Sequence, residues 1–248
     1  MAAFKDHFST RSSGYAAFRP GYPAELFTYL ARLTPRQDLA WDCATGSGQA
    51  ARGLAEHYTR VWATDASAAQ IDAAAPHAGV EFRVAPAQAS GLPDRSADLV
   101  TVAQAAHWFH LPAFYAEVRR VLKPGGLLAI WCYERLATEP ALDAIVEEFY
   151  GGLLGPYWPP ERRLVESGYR DLDFPFAEVP APAIPMTANW TLDQLLGYFS
   201  TWSAVKAYQR ATGEDPLPVL RERLASAWIS LDQAKTIKWP LSVRLGRI

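Results

Sequence analysis

Apolar positions along this chain follow two rhythms that alternate between residues 39 and 132. Short apolar runs predict strands over 39–44, 60–65, 80–85, 97–103 and 127–132. Between them, apolar residues at three- to four-residue spacing predict helices over 48–57, 67–75 and 111–122. An earlier helix is predicted from Pro23 to Leu33, with Pro23 suited to its first turn. Strands that alternate with helices imply an α/β fold with a doubly wound, mostly parallel sheet. Right-handed crossovers then put every strand-to-helix loop on one edge of that sheet.

After residue 135 the rhythm changes. A helix is predicted over 139–150, followed by Gly151-Gly152 and the breaker-rich aromatic loop Gly155-Pro156-Tyr157-Trp158-Pro159-Pro160. A strand-like segment covers 173–179, and a proline-rich connector runs to Pro185. Thr191-Leu192-Asp193-Gln194 reads as a capping box that opens a helix to about Gln209. A last helix covers about 217–228, and 239–245 is a closing strand. We therefore expect one domain over 1–248. It divides into an N-terminal segment 1–37, a core 38–135, and insertions at 136–172 and 186–235 that form a helical cap.

Half of the 248 residues are hydrophobic, enough for a sizeable core. The net charge of -2 gives no basic field to recruit nucleic acid or an anionic membrane. The N-terminal residues lack a signal-peptide core and no apolar run is long enough to span a bilayer, so the expectation is a cytoplasmic protein. Cys43 and Cys132 have no partner at ligand spacing, which argues against a disulfide framework and against a metal site. Nine Trp, eleven Tyr and eleven Phe, many in the second half, supply either core packing or an aromatic-lined pocket for a small molecule.

The chemistry concentrates at Asp42-Cys43-Ala44-Thr45-Gly46-Ser47-Gly48-Gln49, where a strand breaks into a glycine turn and a helix. Open α/β sheets build nucleotide clefts this way. Asp65, about twenty residues on at the end of the next strand, suits a ribose hydroxyl pair. Three nucleotides compete. A phosphate-binding P-loop fails, because no Gly-Lys-Ser/Thr follows. A dinucleotide fits Gly46-Ser47-Gly48-Gln49-Ala50-Ala51 formally, yet Asp42 at the strand end would repel its pyrophosphate. S-adenosylmethionine has an ammonium in place of the pyrophosphate, and Asp42 suits that cation.

Here the chain resembles the class I S-adenosylmethionine-dependent methyltransferases, in the subgroup related to trans-aconitate methyltransferases. The segment from Asp42 to Gly48 is similar to the family's first motif, with Ala44 replacing its first glycine. Thr64-Asp65-Ala66-Ser67 resembles the ribose-binding strand end. The segment Ala85–Pro93, with Ala87 and Gln88, resembles the loop beside the adenine. The segment Asp98–Trp108 is similar to the fourth strand and its following loop, and Val121–Gly126 to the turn before strand five. The resemblance implies a Rossmann-like sheet of seven strands with the last antiparallel.

It also implies roles. Asp42, Gly46, Gly48, Asp65, Ala66, Ala87, Gln88 and Gln104 would bind the cofactor. His107 is the candidate general base, unless it and His110 only pack in their loop. Tyr15 and Arg19 in the N-terminal segment, with Trp108, Trp131 and Tyr133 after strands four and five, would meet the acceptor. Arg19 would clamp a carboxylate of the cofactor or the substrate. The absence of an Asn/Asp-Pro-Pro-Tyr/Phe motif argues against adenine or glutamine amino groups. The expected reaction is direct displacement of a methyl group onto a small organic acceptor, a carboxylic acid or hydroxyl compound, under the cap. Two alternatives stay open: an NAD(P)-dependent oxidoreductase, which here lacks a Tyr-x-x-x-Lys pair, and a non-catalytic S-adenosylmethionine-binding protein. Neither the acceptor's identity nor the oligomeric state follows from the sequence.

Overall fold

A computed structural model describes residues 18–228 and 230–248. Its strands are β1 (Leu39–Cys43), β2 (Arg60–Asp65), β3 (Val80–Val84), β4 (Ala97–Ala103), β5 (Leu122–Tyr133), β6 (Ala177–Val179), β7 (Met186–Trp190), β8 (Lys235–Trp239) and β9 (Leu241–Arg247). Seven form one sheet in the order β3-β2-β1-β4-β5-β9-β6, while β7 and β8 pair separately. The five strands from β1 to β5 are mutually parallel, and β9 runs antiparallel to β5 and β6. The order reverses between β1 and β4, so the crevice opens at their carboxyl ends.

Helices α1 (Ala24–Leu33), α2 (Gln49–Ala55), α3 (Ala68–Ala73) and α4 (Leu111–Val121) accompany the parallel strands. The two-residue period of each strand sorts its side chains to opposite faces. Leu39, Trp41 and Cys43 join Val100, Val102, Leu128 and Ile130 under Phe114 and Val118 of α4. Ala40, Val61, Leu99, Leu127 and Ala129 pack on the other face against Leu26 and Leu30 of α1 and Leu54 of α2.

The later helices are α5 (Pro140–Glu147), α6 (Arg162–Glu166), α7 (Leu192–Ser200), α8 (Ser203–Thr212) and α9 (Leu217–Trp228). A π-helical turn over Glu148–Leu153 follows α5. Leu142, Phe149, Leu195, Phe199, Trp202, Leu224, Trp228 and Trp239 gather into a third apolar cluster, which meets the main sheet at Tyr133. These later helices thus share a core of their own. The segment from α6 to β6 leaves it: Val165, Tyr169, Leu172 and Phe174 pack beneath the sheet with the α4 side.

Three expectations change. The helix expected from Thr191 to Gln209 keeps its capping box but breaks between α7 and α8, where Trp202 is extended (φ -68°, ψ 135°). Burying that indole among Tyr150, Trp158, Tyr198 and Phe199 outweighs helix continuity. The single closing strand is two, split at Pro240, which has no N–H to give to a ladder. The strand-like stretch at 173–179 shortens to β6. β7 and α6 lack a clear periodic signal in the sequence. Among the described residues, no helix is long and apolar enough to cross a membrane.

Candidate active site

The glycine turn leaves β1 through three left-handed residues: Ala44 (φ 55°), Gly46 (φ 55°) and Gly48 (φ 84°). Alanine carries a strain of about 1 kcal/mol in that region, so Ala44 performs a glycine's task at a modest cost. At Gly48 a Cβ would lie 2.7 Å from Cζ of Phe82 on β3, so space as well as dihedral angle demands glycine there. At Gly46 the nearest atom to such a Cβ would be Gln70 Oε1, 3.8 Å away, so the demand is conformational alone.

Two carboxylates hold this turn. Asp65, half-buried at the end of β2, accepts from Gly46 N and from Ser67 N, both at 2.9 Å. Its oxygens therefore fasten the first turn to the second strand and order the start of α3. Asp42 lies deeper, with no exposed surface. It accepts from Thr45 Oγ1 at 2.6 Å and from Thr101 Oγ1 at 2.8 Å. Burial pushes its carboxyl up to about 6, against the hydrogen bonds from Thr45, Thr101 and the Ala51 backbone, while the Asp65 charge adds to the rise. The carboxylate braces the turn from beneath, with its two oxygens facing hydroxyls inside the fold.

On the nucleoside side, Ala66 is half-buried just past Asp65, Ala87 is half-buried after β3, and Gln88 is exposed. Their loop is fixed by Ala85 N donating to Asp65 O at 2.9 Å and by Trp62 Nε1 donating to Ser90 O at 2.8 Å. Ser90 in turn gives both N and Oγ to Glu117. Burial opposes the charge on Glu117, but hydrogen bonds from Arg120 and Ser90 outweigh it and hold the carboxyl below its usual range.

Past β4, Gln104 is also left-handed (φ 55°). Its side-chain amide is spent on the Tyr133 backbone, accepting from N at 2.8 Å and donating to O at 3.3 Å. It ties the ends of β4 and β5 together. His107 is the middle residue of the short helical turn Ala106–Trp108. Its Nδ1 lies 2.8 Å from the hydroxyl of Tyr169, and its ring lies 4.6 Å from that of half-buried Trp108. Desolvation, with the Arg162 charge adding to it, pushes His107 down to about 3. An imidazole so reluctant to take a proton is a weak general base.

Of the residues expected on the acceptor side, Trp131 has no exposed surface and packs edge-on to Tyr22 at 5.5 Å, which makes it core. Tyr133 is buried, and its hydroxyl accepts from Arg19 Nη1 at 2.6 Å. Arg19 also donates to Thr201 O at 3.3 Å and lies 5.6 Å from the Tyr198 ring centre. It joins the strand end to the cap, where a clamp on a ligand carboxylate was expected. Tyr15 lies outside the described residues. Both thiols are buried and pushed up, Cys132 to about 12, so neither is poised as a nucleophile.

Beside Glu134, the residue after β5, is a cavity of about 630 Å³. Glu134, Arg135, Tyr150, Arg162, Tyr198 and Trp202 line it. The sequence reading missed Tyr169, Tyr150 and Arg162. Arg162 lies just past the aromatic breaker loop, a legible signal for a cation among rings. No local pattern points to Tyr169, which reaches His107 across 62 positions.

Four likenesses to known proteins bear on this site. A family model described as a methyltransferase domain matches residues 41–130, the stretch from β1 into β5. A protein of Dictyostelium discoideum described as a methyltransferase is 36% identical, over 92% of this chain and 89% of its own length. A solved structure from Anaeromyxobacter dehalogenans, described as a type II methyltransferase, is 47% identical, with a TM-score of 0.87 over 92% of this chain and 97% of that one. A Haemonchus contortus phosphoethanolamine N-methyltransferase, solved with S-adenosylhomocysteine, shares the fold at 17% identity and a TM-score of 0.51.

Proposed function

The chain belongs to the S-adenosylmethionine-dependent methyltransferases, and we propose that its acceptor is a small carboxylic acid or hydroxyl compound held in the cavity beside Tyr133 and Glu134. The observation that carries this reading is the cavity's place at the end of β5, two strands from the glycine turn. Neighbouring strands lie about 4.8 Å apart, so the two sites are separated by roughly 10 Å, a span that a ligand lying across β4 can bridge. The resemblance to the trans-aconitate subgroup favours an acid. With no basic stripe in the sequence, a small molecule is a better partner than nucleic acid.

The residues fit the cofactor. The backbone of Gly46 and Ser47 is half-exposed above the buried Asp42 brace. A carboxylate has about four acceptor sites, so Asp65 can hold the turn and also take ribose hydroxyls. Ala66, Ala87 and Gln88 border the adenine, and Gly48 keeps the turn close. When bound, S-adenosylmethionine supplies a methyl carbon already activated by a cationic sulfur. The chain's task is to align the acceptor and keep water out. Trp108 follows β4 and Tyr133 ends β5, so in this reading both flank the path from the glycine turn to the cavity, with the later helices as its cover. A carboxylate acceptor needs no general base, which agrees with a His107 that stays neutral.

The test is transfer of labelled methyl from the cofactor. Product in a panel of small acids and hydroxyl compounds is expected. Label appearing only in added protein or RNA overturns the reading. Asp65→Asn, which keeps the size of the side chain but sets an NH2 against either Gly46 N or Ser67 N, should weaken calorimetric cofactor binding roughly ten- to a hundredfold, since a charge-assisted hydrogen bond is worth about 1.5–3 kcal/mol.

A further inference from the structure

Arg162 lines the cavity and is held more firmly than its position on a short helix requires. Its Nε donates to the hydroxyl of Tyr150 at 2.8 Å, and that hydroxyl is itself bonded to Glu166. The guanidinium carbon lies 5.5 Å from the Tyr150 ring centre and 5.0 Å from that of Trp158. Trp158 Nε1 closes the arrangement by donating to Tyr150 O at 3.0 Å. Two aromatic faces and one hydrogen bond thus fix the plane of the guanidinium. Among the described residues, Arg162 has no carboxylate at ion-pair distance, whereas its neighbour Arg135 is paired with Glu147.

Four carboxylates share the cavity wall, and each is engaged. Glu147 meets Arg135, and Glu166 meets Tyr150. Asp143 accepts from Thr138 N and Oγ1, both at 2.7 Å, and Glu134 accepts from Ser242 Oγ at 2.6 Å. The wall's one cation without an ionic partner is therefore Arg162. Its helix α6 packs against the short turn Ala106–Trp108 past β4, and its side chain lines the cavity.

We propose that Arg162 is the acceptor-recognition residue and that its two Nη groups receive a carboxylate of the molecule to be methylated. A planar guanidinium offers two parallel donors that match the two oxygens of a carboxylate. With its plane already fixed by Tyr150 and Trp158, it loses little side-chain freedom on binding. This inference rests on the reading of the cavity as the acceptor site, and it adds the chemistry by which the site selects. Arg162 thereby takes the part that the sequence suggested for Arg19.

The test is calorimetric titration of the S-adenosylhomocysteine-loaded protein with acetate, succinate and benzoate, with benzamide and succinamide as uncharged matches and ethanolamine as a cation. A carboxylate should bind at least tenfold more tightly than its amide. Arg162→Gln should lose at least tenfold of that affinity, while its S-adenosylhomocysteine affinity stays within threefold. Arg162→Lys, which keeps the charge without the fork, should recover only part, and it carries the test if Arg162→Gln does not fold. Equal carboxylate binding by Arg162→Gln overturns the proposal. So does failure of the wild-type protein to bind any of the anions, or binding of ethanolamine alone. A neutral acceptor methylated equally well by wild type and Arg162→Gln removes this inference and leaves methyl transfer to small molecules standing. Arg162-dependent anion binding without methyl transfer to any small molecule does the reverse.

Discussion

The side chain of Gln104 grips the backbone of Tyr133 at both polar atoms, taking its N–H at 2.8 Å and giving to its carbonyl at 3.3 Å. A side-chain amide that pairs this way behaves like one more residue of a β-ladder. It sets where β5 stops and where the Tyr133 ring stands.

Gln104→Ala removes both bonds and leaves the Tyr133 backbone to find other partners. We expect a loss of about 1–2 kcal/mol of stability. The KM for the acceptor should rise while cofactor affinity changes less than threefold. Gln104→Glu sets a second carboxylate oxygen against the Tyr133 carbonyl and should be no milder. Cofactor affinity falling in step with the acceptor KM would instead put the Gln104 amide on the cofactor.

Gly48 and Gly46 should respond differently to one methyl group. Gly48→Ala meets both a positive φ and the Phe82 ring, so a loss of about 2 kcal/mol is expected, because ring displacement adds to dihedral strain. Gly46→Ala meets only the dihedral term, about 1 kcal/mol. Urea unfolding of the two variants measures the difference, and equal losses would show that Phe82 moves aside freely.

Asp42 gives a pH signature. Folding raises its carboxyl from 3.8 to about 6, so between those values the folded state holds the proton more tightly than the unfolded chain. Its contribution to stability is full below pH 3.8 and is lost as the pH rises through about 6. Asp42→Asn is uncharged throughout. Its stability should therefore gain on the wild type by up to about 3 kcal/mol between pH 4 and 7, less whatever the altered Thr45 and Thr101 bonds cost. Parallel stability curves for the two proteins would refute the buried-charge account.

His107 behaves in the opposite sense. Folding lowers it from 6.5 to about 3, so the stability it contributes is present above pH 6.5 and is lost as the pH falls toward 3. Its ring protons should show no titration in NMR spectra between pH 5 and 8. The methyl-transfer rate should show no limb near pH 6.5 from this residue. A His107 midpoint in that window would restore it as a candidate base.

Much of the fold was legible because its signals are local. The parallel strands, the glycine turn and the capping box at Thr191 each depend on residues a few positions apart. Less was legible where burial competes with local preference, as at Trp202, which breaks a helix to bury its indole, and at Pro240, which parts two strands that read as one. In the site, Gly46, Gly48 and Asp65 sit together in the glycine turn and at the strand end it adjoins. Trp131 lies in the core, and Gln104 and Arg19 reach other parts of the protein.

The chain's own pattern carries the sheet, the turn and the nucleotide class, since periodicity, left-handed backbone positions and an acid at a strand end are all properties of neighbours in sequence. Which side chain faces a ligand depends on partners far away. Arg19 meets Tyr133 across 114 positions, and His107 meets Tyr169 across 62. Proton affinities depend on desolvation, a property of the packed interior, which is why Asp42 became a brace and His107 a neutral imidazole only once the fold closed around them.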